Sequence, residues 1–400
     1  MSKVLCQVIG CGPAAMGLPV AADRVGELSR FLNEGVRFLD RAPDAAALNR
    51  LRFPFLIDAN SVGGDFIAGV RRDGVFARAV DARAGSLLQE HHDRPVPLSL
   101  VGEFMNDLSR TVEEALPGGF LYAADTRAIH RGADGSWTST DRAGAPLVTS
   151  ESVVLATGSY EDTGRIAARY GIVPSRLIGS AELLAGRLDE AERVLRGGGR
   201  ITIIGGSHSG FATAELLLAR FGDTIAHGGL TLIHRGLSLA YTDLTETEEL
   251  PPGAACRLEA CPESGMVNRF HGLRAGPRGL CLRTLRGHEH RLILCETGSV
   301  AARAALAYAD LVVHSAGYRT RQVPLYDQWG ERIPMSEGTT AVDDRCRVLD
   351  SDLRVVPGVF GLGLGYARTD VWGRRRVGVN TFHGEDAEQV LSEVLAPATV

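Results

Sequence analysis

The chain has 400 residues and a mass of 42.7 kDa, which is long enough for two or three domains that each bury a core. Hydrophobic residues make up 44% and charged residues 23%, and this composition excludes a disordered or fibrous protein. The formal net charge is -5 with no long run of one sign, so we expect no nucleic-acid partner.

Lysine is almost missing from this chain. Lys3 is the only lysine, and all other residues counted with it are arginines. A P-loop, a pyridoxal phosphate Schiff base and a lysine general base all need a lysine inside a fold, whereas Lys3 lies beside the N-terminus. The sequence therefore excludes these three kinds of site.

The first apolar segment, from Val4 to Ala22, imitates a signal peptide or a membrane span. It carries no charge, but glycines and prolines interrupt it, so we expect neither of the two and no membrane partner. The 7 cysteines are too few and too scattered for a disulfide framework. A reducing cytoplasm is therefore the expected location.

Two segments share one pattern, an apolar strand followed by a glycine turn and a helix. Glycines in such a turn allow a tight bend, close approach of the backbone to a pyrophosphate, and close helix–strand packing. The helix N-terminus then offers free N–H groups to phosphates. The turn residues are Gly10, Gly12, Pro13, Ala14 and Ala15 in the first segment, and Gly205, Gly206, Ser207, His208, Ser209 and Gly210 in the second.

A single turn of this kind can simply join a strand to a helix, but each of these two is followed by a second strand with a suitable residue at its end. Asp40 is placed to accept ribose hydroxyls, with Arg41 beside it. Asp40 comes 28 residues after Gly12, so the intervening helix or loop must be long. Arg235 ends the other strand and suits a 2'-phosphate, which favours NADPH over NADH. A solvated arginine at a strand end is the alternative.

Further apolar strands end in small residues, where a ligand needs room. Their ends are Ala156, Thr157 and Gly158, then Gly317 and Tyr318, then Gly363 and Leu364. Apolar residues at helical spacing predict amphipathic scaffold helices near 98–115 and 387–395. The pattern predicts an α/β fold with two Rossmann-like dinucleotide-binding domains. We expect an FAD-binding domain at residues 1–164 and 301–400, with an NADP-binding domain inserted at 165–300.

In this order the motifs resemble those of the two-dinucleotide-binding flavoproteins. Within that group the chain looks most like the class B flavin monooxygenases, which comprise the N-hydroxylating lysine and ornithine monooxygenases and the dimethylaniline-type monooxygenases. Two features carry this likeness. The Ser209–Gly210 turn is followed by Glu215 on the next helix, and residues 314–319 resemble an Ala-Thr-Gly-Tyr segment.

The resemblance implies an FAD enzyme of specialised metabolism that uses NADPH and molecular oxygen. A C4a-(hydro)peroxyflavin would pass its distal oxygen to a soft nucleophile, and we expect that nucleophile to be an amine. Asn60 and Ser61 resemble an Asn-Ser pair beside the isoalloxazine, and Asn60 is our candidate for hydrogen bonding the peroxide. A loop turn is the alternative for that pair.

An amine must lose its proton before it attacks, so a nearby base could matter. The candidates are Asp65, Asp243 and His208. His208 has an alternative role as a turn residue of which only the backbone counts. Segments 55–66 and 247–252 depart from the pattern of the lysine and ornithine enzymes, which leaves the substrate open.

Two other functions remain open from the sequence. The first is an NADPH-dependent flavoprotein reductase of a disulfide, a quinone or a carrier protein. Cys256 and Cys261 have a spacing seen in redox pairs but lie after the NADP arginine, and we expect them to be structural. The second is a non-catalytic FAD- and NADP-binding scaffold. We expect no metal site, since no Cys or carboxylate spacing completes one around His91 and His92. Oligomeric state is left open, a homo-oligomer included.

Overall fold

The structure is a computed structural model that describes residues 3–44, 57–245, 250–251, 254, 256–261, 265–268, 271–369, 373 and 375–396. Its helices are α1 Gly17–Arg24, α2 Leu28–Asn33, α3 Gly63–Ile67, α4 Ala77–Asp81, α5 Arg83–Glu90, α6 Leu98–Ala115, α7 Thr163–Tyr170, α8 Ser180–Leu184, α9 Asp189–Arg196, α10 His208–Phe221, α11 Ala275–Leu285, α12 Val300–Tyr308, α13 Val379–His383 and α14 Glu385–Val394.

Most strands belong to two sheets, and the others form short two-stranded pairs. They are β1 Val4–Ile9, β2 Val36–Leu39, β3 Asp58–Val62, β4 Pro95–Pro97, β5 Phe120–Leu121, β6 Ala128–Arg131, β7 Trp137–Thr140, β8 Pro146–Leu155, β9 Ser159–Tyr160, β10 Leu177–Gly179, β11 Ile201–Ile204, β12 Leu230–His234, β13 Leu237–Ser238, β14 Cys256–Arg257, β15 Leu292–Glu296, β16 Leu311–His314, β17 Arg319–Thr320, β18 Leu325–Tyr326, β19 Arg332–Ile333, β20 Arg347–Leu349 and β21 Val355–Gly361.

The larger sheet has the order β19-β18-β6-β7-β8-β1-β2-β5, and β21 also pairs with β8. Its parallel part consists of β5, β2, β1, β8 and β21, whereas β6, β7 and β8 form an antiparallel meander. The last four residues of β1 are buried, as expected for a parallel strand covered on both faces. The predicted amphipathic helix is confirmed as α6, whose apolar face packs into this core.

The smaller sheet is entirely parallel, with the order β10-β16-β11-β12-β15. We call the part of the chain that forms the larger sheet the first unit, and the part that forms the smaller sheet the second unit. We expected the strand around residues 310–318 in the first unit, after a boundary at residue 300. Its pairing instead places Leu311–His314 between β10 and β11, at the centre of the second sheet. The chain therefore returns to the first unit only after His314. The limits of the units as independent domains stay a prediction.

The chain crosses between the sheets twice, and the two crossings pair with each other. β9 follows the end of β8, β17 follows the end of β16, and the two strands are antiparallel. Tyr160 lies opposite Arg319, and Ser159 lies opposite Thr320. This pairing fixes the ends of the two sheets close to one another.

An apolar cluster also joins the units. Ile57, which precedes β3, packs with Leu184 of α8 and with Ala212 and Leu216 of α10. Ile57 is only 6% exposed, so this packing removes almost all of its side chain from water. Among the described residues no helix has both the length and the apolar character needed to span a bilayer.

We predict that Ile57→Ala lowers the free energy of unfolding by about 2 to 4 kcal/mol, because it leaves a cavity between the units. The matched control is Ile293→Ala on β15, where the side chain is 42% exposed and the loss should stay within about 0.5 kcal/mol. Urea unfolding followed by tryptophan fluorescence measures both. Equal losses in the two variants would show that the cluster does not join the units.

Candidate functional site

The first glycine turn is held tightly against the end of β8. Gly10 has φ +97, and a Cβ on it would lie 2.5 Å from the carbonyl oxygen of Ala156. Only glycine fits this approach without strain. A Cβ on Gly12 would meet no atom within 4 Å, so the outer side of the turn is open. This arrangement fits a pyrophosphate lying against the backbone.

Asp40 stands at the end of β2 and closes the same turn. Its Oδ2 accepts a hydrogen bond from the Cys11 amide at 2.9 Å, and its Oδ1 accepts one from the Ala42 amide at 2.8 Å. The side chain is 5% exposed and sits in the place predicted for a ribose acceptor. Its contact with ribose stays a prediction, as does that of Arg41, which is exposed beside it.

The loop after β21 completes this region from the far end of the chain. A Cβ on Gly363, which has φ +92, would lie 2.5 Å from the Cβ of Ala14. A Cβ on Gly365 would overlap the carbonyl oxygen of Gly158. Small residues predicted as cofactor contacts from three parts of the sequence are therefore brought together.

His383 is a residue of this region that the sequence analysis missed. It ends α13, is 1% exposed, and its Nε2 lies 2.6 Å from the carbonyl oxygen of Pro13 in the first turn. Because a carbonyl oxygen only accepts, Nε2 carries the proton and donates it. Arg24 holds the backbone from the other side by donating to the carbonyl oxygen of His383 at 2.8 Å. A lone histidine in a helical pattern gives no signal of this role.

Arg375 was also missed. Its Nη2 donates to the carbonyl oxygen of Leu364, in the loop that packs on the first turn. The side chain is half-buried, its Nε is buried without a hydrogen-bond partner, and burial lowers the pKa of its guanidinium. It forms no ion pair with the residues that the structure describes. In a chain with this many arginines, the sequence gives no reason to single it out.

The second glycine turn repeats the geometry of the first. Gly205 has φ +131, and a Cβ on it would overlap the carbonyl oxygen of Ser315, which follows β16. A Cβ on Gly206 would overlap the side chain of His234 at the end of β12. Ser207 and His208 lead into α10, so the free amides of a helix of 14 residues open beside the turn. This turn also fits a pyrophosphate.

Ser209 and Tyr318 connect the second turn to the crossing strands. The Oγ of Ser209 lies 3.4 Å from the phenol oxygen of Tyr318, and burial raises the pKa of Tyr318. Glu161, just after β9, accepts hydrogen bonds from Ser180 and from the Ala181 amide. Burial raises the pKa of Glu161, and its charge raises that of Tyr318 as well. The predicted residue Tyr318 thus lies between the second turn and the crossing, and Gly317 precedes it.

Arg235 lies where the sequence places it, directly after β12. It is exposed and forms no ion pair with any described residue. A second arginine approaches the same point: a Cβ on Gly236 would lie 3.2 Å from Nε of Arg257. Arg257 comes from β14, which pairs with β13, and it too lacks an ion pair within the described part of the chain. The sequence analysis missed Arg257 because β13 and β14 are short and far apart in sequence.

The remaining candidates for catalysis and flavin contact lie on three separate segments. β3 carries Ser61 and touches α11 of the second unit, whereas the side chain of Asn60 lies outside the described residues. Asp65 is half-buried on α3 and forms no hydrogen bond with a described residue. Asp243 is exposed and accepts a hydrogen bond from the Thr245 amide at 2.7 Å. None of the catalytic roles is tested by this geometry.

The cysteines are all free thiols. Burial raises the pKa of Cys256, and burial together with the nearby Cys256 raises that of Cys281 to about 12. Cys11 lies in the first turn but is only 1% exposed. The raised pKa values leave the thiols of Cys256 and Cys281 poorly ionised at neutral pH and therefore weak nucleophiles. No group of three or more metal-ligating side chains occurs in the described ranges.

Comparison with protein-family models gives no match. A CMP-5'-(3-aminopropyl)phosphonate hydroxylase of Streptomyces rubellomurinus is 27% identical to this chain over 386 residues, covering 86% of this chain and 84% of that protein. This likeness extends along both units.

Solved structures share the fold. L-lysine 6-monooxygenase from Pseudomonas syringae has a TM-score of 0.61 at 14% identity, covering 98% of this chain and 99% of that one. Ornithine N-hydroxylase of Kutzneria, solved with reduced FAD and NADP+, has 0.58 at 15%, covering 98% and 99%. Bacillithiol disulfide reductase from Staphylococcus aureus has 0.52 at 12%, covering 99% of each chain. The predicted α/β fold is therefore confirmed, and N-hydroxylating monooxygenases are among the proteins that share it.

We predict that Gly10→Ala abolishes FAD retention through gel filtration, because its methyl group would displace the turn from β8. Gly135→Ala is the control, since Gly135 has φ +81 but a Cβ there meets no atom within 4 Å. Both variants carry the backbone strain, and only the first carries the clash. Full FAD retention by Gly10→Ala would contradict the role of the turn.

We predict that burial of His383 makes the folded protein less stable at acidic pH. Burial lowers its pKa to about 4, the hydrogen bond to Pro13 opposes this, and Arg24 adds to it. In the unfolded chain this imidazole takes up a proton below about pH 6.5, whereas in the folded chain it stays neutral until about pH 4. The free energy of unfolding is therefore highest above pH 6.5 and falls as the pH is lowered toward 4. His383→Gln should lose less melting temperature between pH 7 and 5 than the wild type. The exposed His91→Gln is the control, and identical losses in all three proteins would refute the prediction.

Proposed function

We propose that this protein is an NADPH- and O2-dependent FAD monooxygenase that hydroxylates the nitrogen of a small amine. The overall reaction would convert R–NH2, O2, NADPH and H+ into R–NHOH, NADP+ and water. The observation that carries the proposal is the sequence similarity along most of the chain to a hydroxylase of an aminopropylphosphonate. The fold supports it without deciding it, since a disulfide reductase has the same fold.

The residues present suit this activity. Gly10, Gly12 and Asp40 would hold FAD, and Gly205 with the N-terminus of α10 would hold the pyrophosphate of NADPH. Bound FAD would supply the redox chemistry, taking two electrons from NADPH and passing one oxygen atom to the amine. The protein would contribute orientation and exclusion of water. The apolar contact of Ile57 with α8 and α10 would keep the two nucleotides in one arrangement.

A disulfide reductase is the main competing function, and the thiols argue against it. Such an enzyme needs a reactive thiol pair beside the flavin. The thiols of Cys256 and Cys281 have raised pKa values because of burial, and Cys256 lies in the second unit. Cys11 is close to the first turn, but it is buried. Because the 7 cysteines are free, a reducing compartment such as the cytoplasm also suits the protein.

The nucleotide preference follows from charge at the end of β12. A Cβ on Gly236, the residue after Arg235, would lie 3.2 Å from Nε of Arg257, and neither arginine pairs with a carboxylate in the described chain. Arginine binds a phosphate monoester through paired N–H groups. We therefore propose that both residues bind the 2'-phosphate of NADPH.

We predict that Arg235→Ala and Arg257→Ala each raise KM for NADPH about tenfold, with little change for NADH, because each removes a charged hydrogen bond of roughly 1.5 to 3 kcal/mol. Steady-state oxidation at 340 nm under air measures both cofactors. Arg220→Ala, on the last turn of α10, is the control. If NADH and NADPH respond equally, the 2'-phosphate is not the ligand.

The proposed reaction is tested with a panel of amines and NADPH. 3-Aminopropylphosphonate, its CMP conjugate, lysine, ornithine and cadaverine are supplied with 18O2, and products are analysed by mass spectrometry. One labelled oxygen on the nitrogen of one panel member is the expected result. NADPH oxidation with reduction of an added disulfide or quinone, and no labelled amine, would contradict the proposal.

A further inference from the structure

Residues 368–369 and 375–376 lie side by side between the last strand of the first unit and α13. Thr369 and Arg375 form a β-bridge, and the Arg376 amide donates to the carbonyl oxygen of Arg368 at 2.7 Å. Neighbouring residues in extended chain point to opposite sides. Arg375 and Arg376 therefore face different surroundings.

Carboxylates pair with two of the arginines beside this bridge. Arg376 pairs with Glu385 at 3.0 Å, and Arg368 pairs with Glu385 at 3.1 Å and with Asp386 at 2.5 Å. The side chains of Arg368 and Arg376 are 16% and 21% exposed. Their burial is thus compensated by carboxylates at the start of α14, as buried charges require.

Arg375 is half-buried as well, but it has no such compensation. Its one hydrogen bond within the described chain goes to the carbonyl oxygen of Leu364, its Nε is buried without a partner, and no described carboxylate pairs with it. A partly buried guanidinium without an anion destabilises the folded protein, because the charge has lost water and gained no partner. An anionic ligand would remove this cost.

The position of Arg375 identifies the kind of anion. Leu364 follows Gly363, which touches Ala14 of the first glycine turn. The guanidinium of Arg375, which donates to the carbonyl oxygen of Leu364, therefore lies beside that turn. The sequence-related hydroxylase acts on an amine that carries both a phosphonate and a nucleotide phosphate. Arginine matches the geometry of such oxygens through two parallel N–H bonds.

We propose that Arg375 is a binding residue for a phosphate- or phosphonate-type oxyanion beside the first glycine turn. Two molecules could bring this group, the substrate amine and FAD itself. The glycine turn already offers its own amides to the FAD pyrophosphate, which favours the substrate. That assignment rests on the proposed amine hydroxylation, whereas the oxyanion site does not.

Equilibrium binding without NADPH separates these sources. Variants Arg375→Gln and Arg375→Lys are compared with Arg376→Gln, which loses the same charge from a neighbouring residue that is already paired. In one arm, apoprotein is titrated with FAD and the quenching of flavin fluorescence is followed. In the other arm, the FAD-loaded protein is titrated with CMP and with inorganic phosphate in a calorimeter, at ionic strength matched with KCl.

For a substrate site, Arg375→Gln weakens CMP binding about 10- to 100-fold and leaves the FAD affinity unchanged. For an FAD site, the FAD affinity falls by that factor instead. Arg375→Lys keeps the charge and should lose less in either case, so it decides the matter if the glutamine variant fails to fold. The proposal is overturned if both affinities in the Arg375 variants match those of Arg376→Gln. It is also overturned if wild-type protein binds neither CMP nor phosphate and FAD binding does not change.

Discussion

The close approach of two glycine turns to two strand ends is the constraint on which the rest of the structure depends. Gly10 lies against Ala156, and Gly205 lies against Ser315, with no room for a side chain at either place. The segments that receive these turns continue directly into β9 and β17, which pair with each other. The residues between these contacts and the paired strands therefore shape both glycine turns and fix the distance between the turns.

Charge is organised around the nearly complete replacement of lysine by arginine. Many arginines of the described chain stand opposite carboxylates, as Arg368 and Arg376 do at α14. The exceptions that matter for function are Arg235, Arg257 and Arg375, which lack such partners in the described ranges. They lie beside the two glycine turns rather than at random over the surface. Because guanidinium groups without acids favour phosphate oxygens, we expect these three positions to bind anionic ligands.

The sequence predicts the fold well where the signal is local. Glycine turns, apolar strands and the amphipathic helix α6 depend on neighbours along the chain, and the structure contains all of them. Strand pairing is not local, and β16 was assigned to the first unit because a returning apolar strand has the same composition in either sheet. His383 and Arg375 act through contacts with residues far away in sequence, at Pro13 and near Ala14. No spacing rule connects such positions, so only the folded chain identifies them.

The central claim is that two electrons from NADPH reduce the bound FAD and are then used to hydroxylate an amine with O2, and a single turnover tests it most directly. Protein with bound FAD is reduced anaerobically by one equivalent of NADPH while the flavin absorbance near 450 nm is recorded. It is then mixed with oxygenated buffer containing the amine that gives product under turnover. The account predicts bleaching by NADPH followed by about one hydroxylated amine per flavin and little hydrogen peroxide. Bleaching followed by stoichiometric peroxide and unchanged amine, or no bleaching by NADPH, would contradict it.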